Sequence, residues 1–260
     1  MLLTIDAGNT NIVFALFDEE NGDNFTQWRI ATSAERTADE YFVWLDQLMR
    51  HEGLSKEPVK GAIISTVVPR ALFNLKTLCR RYFDCDPLVI GDSQTKLGIE
   101  VKMPNPRSAG ADRLVNAVGA HKDYPGPLIL LDFGTATTFD VVDSDGAFLG
   151  GSFAPGINLS LEALHRAAAQ LPTVAVARPK KVIGTDTVAA MQSGVYFGYL
   201  GLIEGITRKI QEEYGAKMTV IATGGLAPLF AEATDAIDHV DQDLTVRGLV
   251  EIYFRNQNQT

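Results

Sequence analysis

Two stretches of the chain place a carboxylate where an apolar run gives way to small polar residues. Residues 2–11 read "LLTIDAGNTN" and residues 130–138 read "LLDFGTATT". In each, a strand-like run ends in Asp, then one residue, then Gly, then a small polar cluster. A strand ending in Asp puts a carboxylate at a hairpin tip, and the Gly with Thr or Asn lets backbone N–H groups and short hydroxyls approach an anion. A carboxylate beside a phosphate loop is the arrangement a magnesium nucleotide needs, because magnesium takes one or two protein carboxylates and fills its remaining positions from phosphates and water. Asp-x-Gly-x-Thr is also ordinary hairpin chemistry. Its repetition at the start of two similar halves favours phosphate binding over a turn alone. No Gly-Lys-Ser or Gly-Lys-Thr follows, so this is not the Walker loop.

A third stretch, "PNPRSAGADRLVNAVGAH", sets Gly110 and Ala111 before Asp112 and Arg113, after which apolar spacing continues as a helix. A Gly-containing loop at a helix N-terminus can receive an anionic group, with Asp112 as a base and Arg113 as a clamp. The alternative is that Asp112 is a first-turn or capping acid and Arg113 a solvated charge. "GGSFAPGI" and "VIATGGLAP" are Gly-rich turns after strands, suited to adenine and ribose or to turn formation alone. "IGTDTVAAMQSGVYFG" enters a long helix through Thr185, Asp186 and Thr187, and Ala189, Ala190, Ser193, Gly194 and Gly198 give that helix a small-residue side for close packing, including across a subunit contact. His121 and His165 read as packing or surface residues, and "MPNPRS" as a rigid loop.

The elements that must position these residues follow from periodicity and turn chemistry. Residues 2–7, 11–18 and 25–32 read as an antiparallel meander, its second turn falling on Glu-Glu-Asn-Gly-Asp at 19–23. A helix opens after Thr37, with Phe42, Val43, Leu45, Leu48 and Met49 at helical spacing. "GAIISTVVP" is a buried strand followed by a helix that starts at Pro69, and "PLVIG" is a further strand. The order β-β-β-α-β-α-β describes a mixed sheet with helices on its faces. It begins again at Pro127: three strand-like runs, a later strand at "MTVIATGG", and helical patterns at 156–169, 187–214 and 243–255. The fold class is α/β in two halves of like topology, divided as residues 1–118 and 119–260.

Composition limits the partners. The 260 residues are 46% hydrophobic and 21% charged, the balance of a globular protein with an ample core. A net charge of -9 without a run of Lys and Arg argues against nucleic acid. Cys79 and Cys85 have no partners at metal-ligand spacing, so neither a disulfide framework nor a zinc site is expected. The chain starts on a strand-like run with no basic leader, and no apolar stretch reaches the roughly 18 residues a transmembrane helix needs. A cytoplasmic protein with no membrane partner is the expectation.

Taken together and in order, "DAGNTN", "GADRLVNA", "DFGTATTFD", "GGSFAPGI", "LPTV", "IGTDTVAAMQSG" and "TGG" resemble the type III pantothenate kinase family, a branch of the actin-like and sugar-kinase ATPases. The resemblance spans essentially the whole chain. It implies two ribonuclease H-like (actin-like) domains with the active site in the cleft between them, and ATP-dependent phosphorylation of the primary hydroxyl of pantothenate to 4'-phosphopantothenate, the first step towards coenzyme A. It implies an ATP phosphate loop at Asp6, Ala7, Gly8, Asn9, Thr10, Asn11, Ile12 and Val13, with a further ATP contact at Thr135. It also implies a pantothenate loop at Gly110, Ala111, Asp112 and Arg113 with Thr187 as another substrate contact, and Asp112 as catalytic base. Asp132 is similar to a monovalent-cation ligand, for K+ or NH4+, and Asp6 to a group positioning Mg2+ directly or through water. A homodimer is implied as well. Ala7 stands where Val is common and "SAGADR" where "EVGADR" is usual, and neither change removes a functional group. The competing expectation is a nucleotide-binding regulatory or interaction module of the same fold without small-molecule kinase activity.

Overall fold

Alternation in the first strand gives it two different faces. The computed structural model describes residues 1–18, 25–167 and 171–257. In β1 (Leu2–Ala7), Leu3, Ile5 and Ala7 join Ile12, Phe14 and Leu16 of β2 (Asn11–Phe17) and Ala62 and Ile64 of β4 (Gly61–Thr66) in a core closed by α1 (Ala38–His51) and α2 (Pro69–Tyr82). Leu2 and Ile63 face the other way and pack with Val115 and Val118 of α3 (Ala111–Asp123) and Leu249 and Ile252 of α7 (Leu244–Gln257). Period-two alternation therefore sends Asp6 to the α3 side. The sheet order is β3-β2-β1-β4-β5, with β3 at Phe25–Ala31 and β5 at Leu88–Val89. β1 runs antiparallel to β2 and parallel to β4.

Local chemistry fixes the helix starts. Thr37 caps α1 reciprocally: the Glu40 N–H donates to Thr37 Oγ1 at 3.3 Å and the Thr37 N–H donates to Glu40 Oε2 at 2.8 Å. Pro69 occupies the first position of α2, where its missing N–H costs nothing.

The second sheet repeats the pattern in the order β10-β9-β6-β7-β8, formed by β6 (Leu128–Phe133), β7 (Ala136–Val142), β8 (Phe148–Pro155), β9 (Thr219–Gly224) and β10 (His239–Val240). Ile129, Leu131 and Phe133 pack with Val220 and Ala222, with Ile157 of α4 (Ile157–Ala167), with Tyr196, Tyr199 and Ile203 of α5 (Thr187–Tyr214), and with Phe230 of α6 (Ala227–Ala231). The helix read at 187–214 is α5, and that read at 243–255 is α7. Positions 168 and 169 of the helix read at 156–169, and the turn read at 19–23, lie outside the described residues. α6, β10 and a 3-10 turn at Pro106–Ser108, inside the loop read at "MPNPRS", are too short to carry a periodic signal.

The chain divides into two compact units: Met1–Ile99, Pro104–Gly119 and Leu244–Thr260 in one, Glu100–Met103 and Ala120–Asp243 in the other. The sequence reading assigned all of 119–260 to the second domain, whereas α7 packs on β1 and β4 of the first unit. Side-chain hydrogen bonds hold it there. Asn256 exchanges bonds with the Lys96 backbone at 2.9 and 2.8 Å, Arg255 donates to Leu97 O and Gly98 O at 3.2 Å each, and Thr245 donates to Asn116 Oδ1 of α3 at 2.7 Å. A Cβ on Gly248 would stand 2.2 Å from Val115 O, so only glycine lets α7 lie this close to α3. The segment at 100–103 joins the second unit through Lys102, whose N–H donates to Phe148 O and whose Nζ donates to Asp143 Oδ2, both at 2.8 Å. Among the described residues no helix is long and apolar enough to cross a membrane.

Candidate active site

Asp6 is the penultimate residue of β1, at the carboxyl end of the strand, where open α/β sheets receive ligands. The tip that follows is pinned on both sides. Gly8 N–H donates to Asn11 O at 3.0 Å, Thr32 Oγ1 donates to Gly8 O at 2.6 Å, Thr32 N–H donates to Thr10 O at 2.9 Å, and Val67 N–H donates to Ala7 O at 3.1 Å. Asn9, Thr10 and Asn11 stand exposed at this braced tip. Ala7 and Ile12 are fully buried, so the side chains of those two members of the expected phosphate loop belong to the core; Val13 is half-buried.

On the face that Asp6 presents, α3 supplies the second carboxylate. Asp112 lies in the first turn of α3, and its Oδ1 accepts the Arg113 N–H at 2.9 Å. A Cβ on Gly110 would meet that Oδ1 at 2.6 Å, so glycine makes room for the carboxylate to fold back over the loop. Arg113 is 7% exposed, which rules out the solvated-charge reading and places a guanidinium in the interior beside the loop. A buried guanidinium demands partners, and its fixed fork suits a carboxylate or phosphate.

Electrostatics tie the two acids together. The pKa of Asp6 is raised from 3.8 to about 6, chiefly by burial; the hydroxyl of Ser65 pulls against that rise, and the negative charge of Asp112 adds to it. An acidic pair of this kind attracts a cation. Among the described residues no group of three or more His, Cys, Asp and Glu side chains is arranged to hold a metal. Asp6, with the charge of Asp112 near it, instead fits magnesium arriving with a nucleotide, which brings most of its own oxygen ligands.

The second unit sets the other residues. Asp132 is again penultimate in its strand, in register with Thr138 of β7 and Thr223 of β9. Thr138 Oγ1 donates to Asp140 Oδ2 at 3.2 Å, and Asp140 is 1% exposed. Thr135 is exposed at the tip, which is braced by Gly134 N–H to Ala136 O and Gly156 N–H to Thr135 O, both at 3.0 Å. Thr187 is exposed at the head of α5, directly after the N-cap Asp186, whose Oδ1 accepts the Ala189 N–H at 2.8 Å. The structure thus groups Asp6, Gly110, Asp112 and Arg113 in the first unit, and sets Asp132 and Thr135 on one hairpin of the second, with Thr187 on a separate element. Sequence reasoning passed over Ser65, Thr223 and Asp140. Asp140 continues the polar alternation of Thr138 and was open to detection, while the two hydroxyl residues become neighbours of the acids only through strand register.

Three antiparallel strands continuing into two parallel ones, repeated in two units, define a ribonuclease H-like fold of the actin-like and sugar-kinase ATPases. The fold is shared with the activator of 2-hydroxyisocaproyl-CoA dehydratase from Clostridium difficile with bound ADPNP, at a TM-score of 0.57 and 12% identity over 99% of this chain and 96% of that one. It is shared also with a protein assigned as a 2-dehydro-3-deoxygalactonokinase from Sinorhizobium meliloti, at a TM-score of 0.62 and 15% identity over 98% and 96%. In sequence, residues 2–209 match the model of the type III pantothenate kinase family. Type III pantothenate kinases from Paramagnetospirillum magneticum and Rhodospirillum rubrum are 62% and 60% identical to the chain, covering 98% and 99% of it and the same shares of themselves. The chain belongs to the type III pantothenate kinase family.

Proposed function

We propose that this protein transfers the γ-phosphoryl group of ATP to the primary hydroxyl of pantothenate, yielding 4'-phosphopantothenate at the start of coenzyme A synthesis. The observation that carries the reading at the level of residues is the loop before α3, where Gly110 makes room for the Asp112 carboxylate and Arg113 is buried beside it. Phosphoryl transfer asks little covalent chemistry of the protein and much positioning, so the needs are a base at the acceptor hydroxyl, donors at the phosphates and cations against their charge.

In this reading Asp112 accepts the hydroxyl proton, and Arg113 with Gly110, Ala111 and Thr187 holds pantothenate. Gly8, Asn9, Thr10 and Asn11 at the braced tip meet the phosphates, with Thr135 as a further ATP contact. Asp6 holds Mg2+, directly or through water; when bound, the ion neutralises charge that develops on the phosphoryl oxygens. Asp132 holds a monovalent cation, a role supported by the hydroxyl residues Thr138 and Thr223 that share its register. The protein acts as a homodimer through α5, whose exposed Gly194, Gly198 and Gly201 have open space before each missing side chain. Cytoplasmic residence accords with ATP as substrate and with Cys79 and Cys85 as free thiols.

Coupled detection of ADP tests the reaction. Release that requires pantothenate, magnesium and potassium together is the expected result. ATP binding by calorimetry without turnover on pantothenate would overturn it in favour of a regulatory module, and sedimentation of the purified protein as a monomer would remove the dimer.

A further inference from the structure

β4 carries a hydroxyl that its position does not need for folding. Ser65 is 0% exposed, and its Oγ has no completed hydrogen bond. Most of β4 is apolar, and an alanine would fill this small buried place without burying a polar atom. A buried hydroxyl without a partner is costly, and native proteins seldom keep one without a use. The adjacent hydroxyl, on Thr66, is fully employed: its Oγ1 accepts the Val68 N–H at 2.9 Å and donates towards Val68 O at 3.2 Å, shaping the strand exit. Ser65 points to the opposite face, the one shared with Asp6, to which it is matched directly in the parallel β1–β4 register. The Asp6 carboxylate is the acceptor within its reach: the Ser65 hydroxyl pulls the Asp6 pKa down as a hydrogen-bond donor, without reaching the geometry of a full hydrogen bond.

The second unit places a hydroxyl at the same step. Asp132 is the penultimate residue of β6, and Thr223, penultimate in the parallel neighbour β9, is matched to it as Ser65 is to Asp6. Thr223 is 4% exposed. A hydroxyl beside the hairpin acid in both sheets points to a job done for the acid.

We infer that Ser65 is the positioning residue of the Asp6 carboxylate: its hydroxyl donates to that carboxylate and fixes its orientation for the magnesium ion that Asp6 would hold. The inference rests on the reading of Asp6 as the magnesium-side carboxylate. A hydroxyl donor beside a carboxylate that would hold a metal is the arrangement that orients metal-binding acids in general.

The experiment compares Ser65→Ala, Ser65→Thr and Asp6→Asn with the unaltered protein. It reads calorimetric affinity for MgATP and for ATP in chelator, the magnesium dependence of ADP release, the KM for pantothenate, and the thermal midpoint. Ser65→Ala is expected to weaken MgATP binding and raise the magnesium requirement by about tenfold or more, on the scale of lost outer-shell contacts. Its affinity for metal-free ATP, its KM for pantothenate and its thermal midpoint stay near those of the unaltered protein, and Ser65→Thr restores most of the loss. An unchanged MgATP affinity in Ser65→Ala, or equal losses for MgATP and metal-free ATP, overturns the inference. If Asp6→Asn abolishes the preference for MgATP and Ser65→Ala does not touch it, the Ser65 assignment alone fails. If Asp6→Asn keeps that preference, the reading of Asp6 fails and the inference falls with it.

Discussion

The two sheets share strand order, strand directions and the placing of an acid one residue from the end of the first strand, yet they surround that acid differently. Asp6 has the charge of Asp112 bearing on it, brought by a helix that starts in a glycine loop. Asp132 stands in register with two threonines. In the proposed reading the acid beside a second carboxylate takes the small, highly charged ion that comes with phosphates, and the acid flanked by threonines takes a larger ion of lower charge. The fold supplies equivalent positions, and the neighbours decide what each position does.

The sharpest way to break this contrast is to remove the second acid. Asp112→Asn is expected to cut turnover by between about 10²- and 10⁴-fold, the usual range for loss of a general base, while circular dichroism and the thermal midpoint hold. Near-normal turnover would reduce Asp112 to a first-turn acid and make the two sheets chemically alike.

Next in size is the cost of keeping Asp6 charged. Its folded pKa, about 6, lies above the ordinary 3.8, so the native state holds its proton more tightly than the unfolded chain does. The associated stability is fully present below about pH 4 and is lost as pH rises through 6, for a total of up to about 3 kcal/mol. In chelator, Asp6→Asn is therefore expected to gain stability over the unaltered protein across pH 4 to 6 and to keep that gain at pH 8, in urea titrations. A difference that does not change with pH would show that burial places no such strain on Asp6.

Gly248→Ala pushes α7 away from α3 and is expected to cost about 1–3 kcal/mol of overpacking, with pantothenate KM rising as the Asp112 loop shifts. A variant with normal stability and KM would show that α7 does not hold the loop in place. The smallest effect belongs to Asp132→Asn, expected to raise the potassium needed for half-maximal activity by about tenfold while leaving the magnesium requirement near normal. A shift in the magnesium requirement instead would erase the proposed division of labour between the two acids.

Much of this was legible in the chain. The echo of Asp-x-Gly in residues 2–11 and 130–138 is a local pattern, and the strands and helices with strong periodicity followed from the spacing of apolar residues and from turn chemistry. The path of α7 was not legible: its apolar face fits either unit, and the choice was made by Gly248, Thr245, Arg255 and Asn256 against α3 and the loop at 96–98, all distant in sequence. Whether Arg113 was a clamp or a solvated charge stayed open, because a single sequence does not display burial. Ser65 was hidden for a different reason, since its link to Asp6 exists only in strand register. Gly110 was read as a loop former, and its closeness to Asp112 Oδ1 depends on a rotamer.

The return of α7 also orders the birth of the protein. The second unit is nearly one continuous stretch of chain and its sheet is complete once β10 has emerged, whereas the helix that covers β1 and β4 is translated after it. On the ribosome the first unit must therefore wait, with Leu2 and Ile63 lacking their partners Leu249 and Ile252 on α7, until the later unit has been made. The half that carries Asp6 and Asp112 begins first and finishes last.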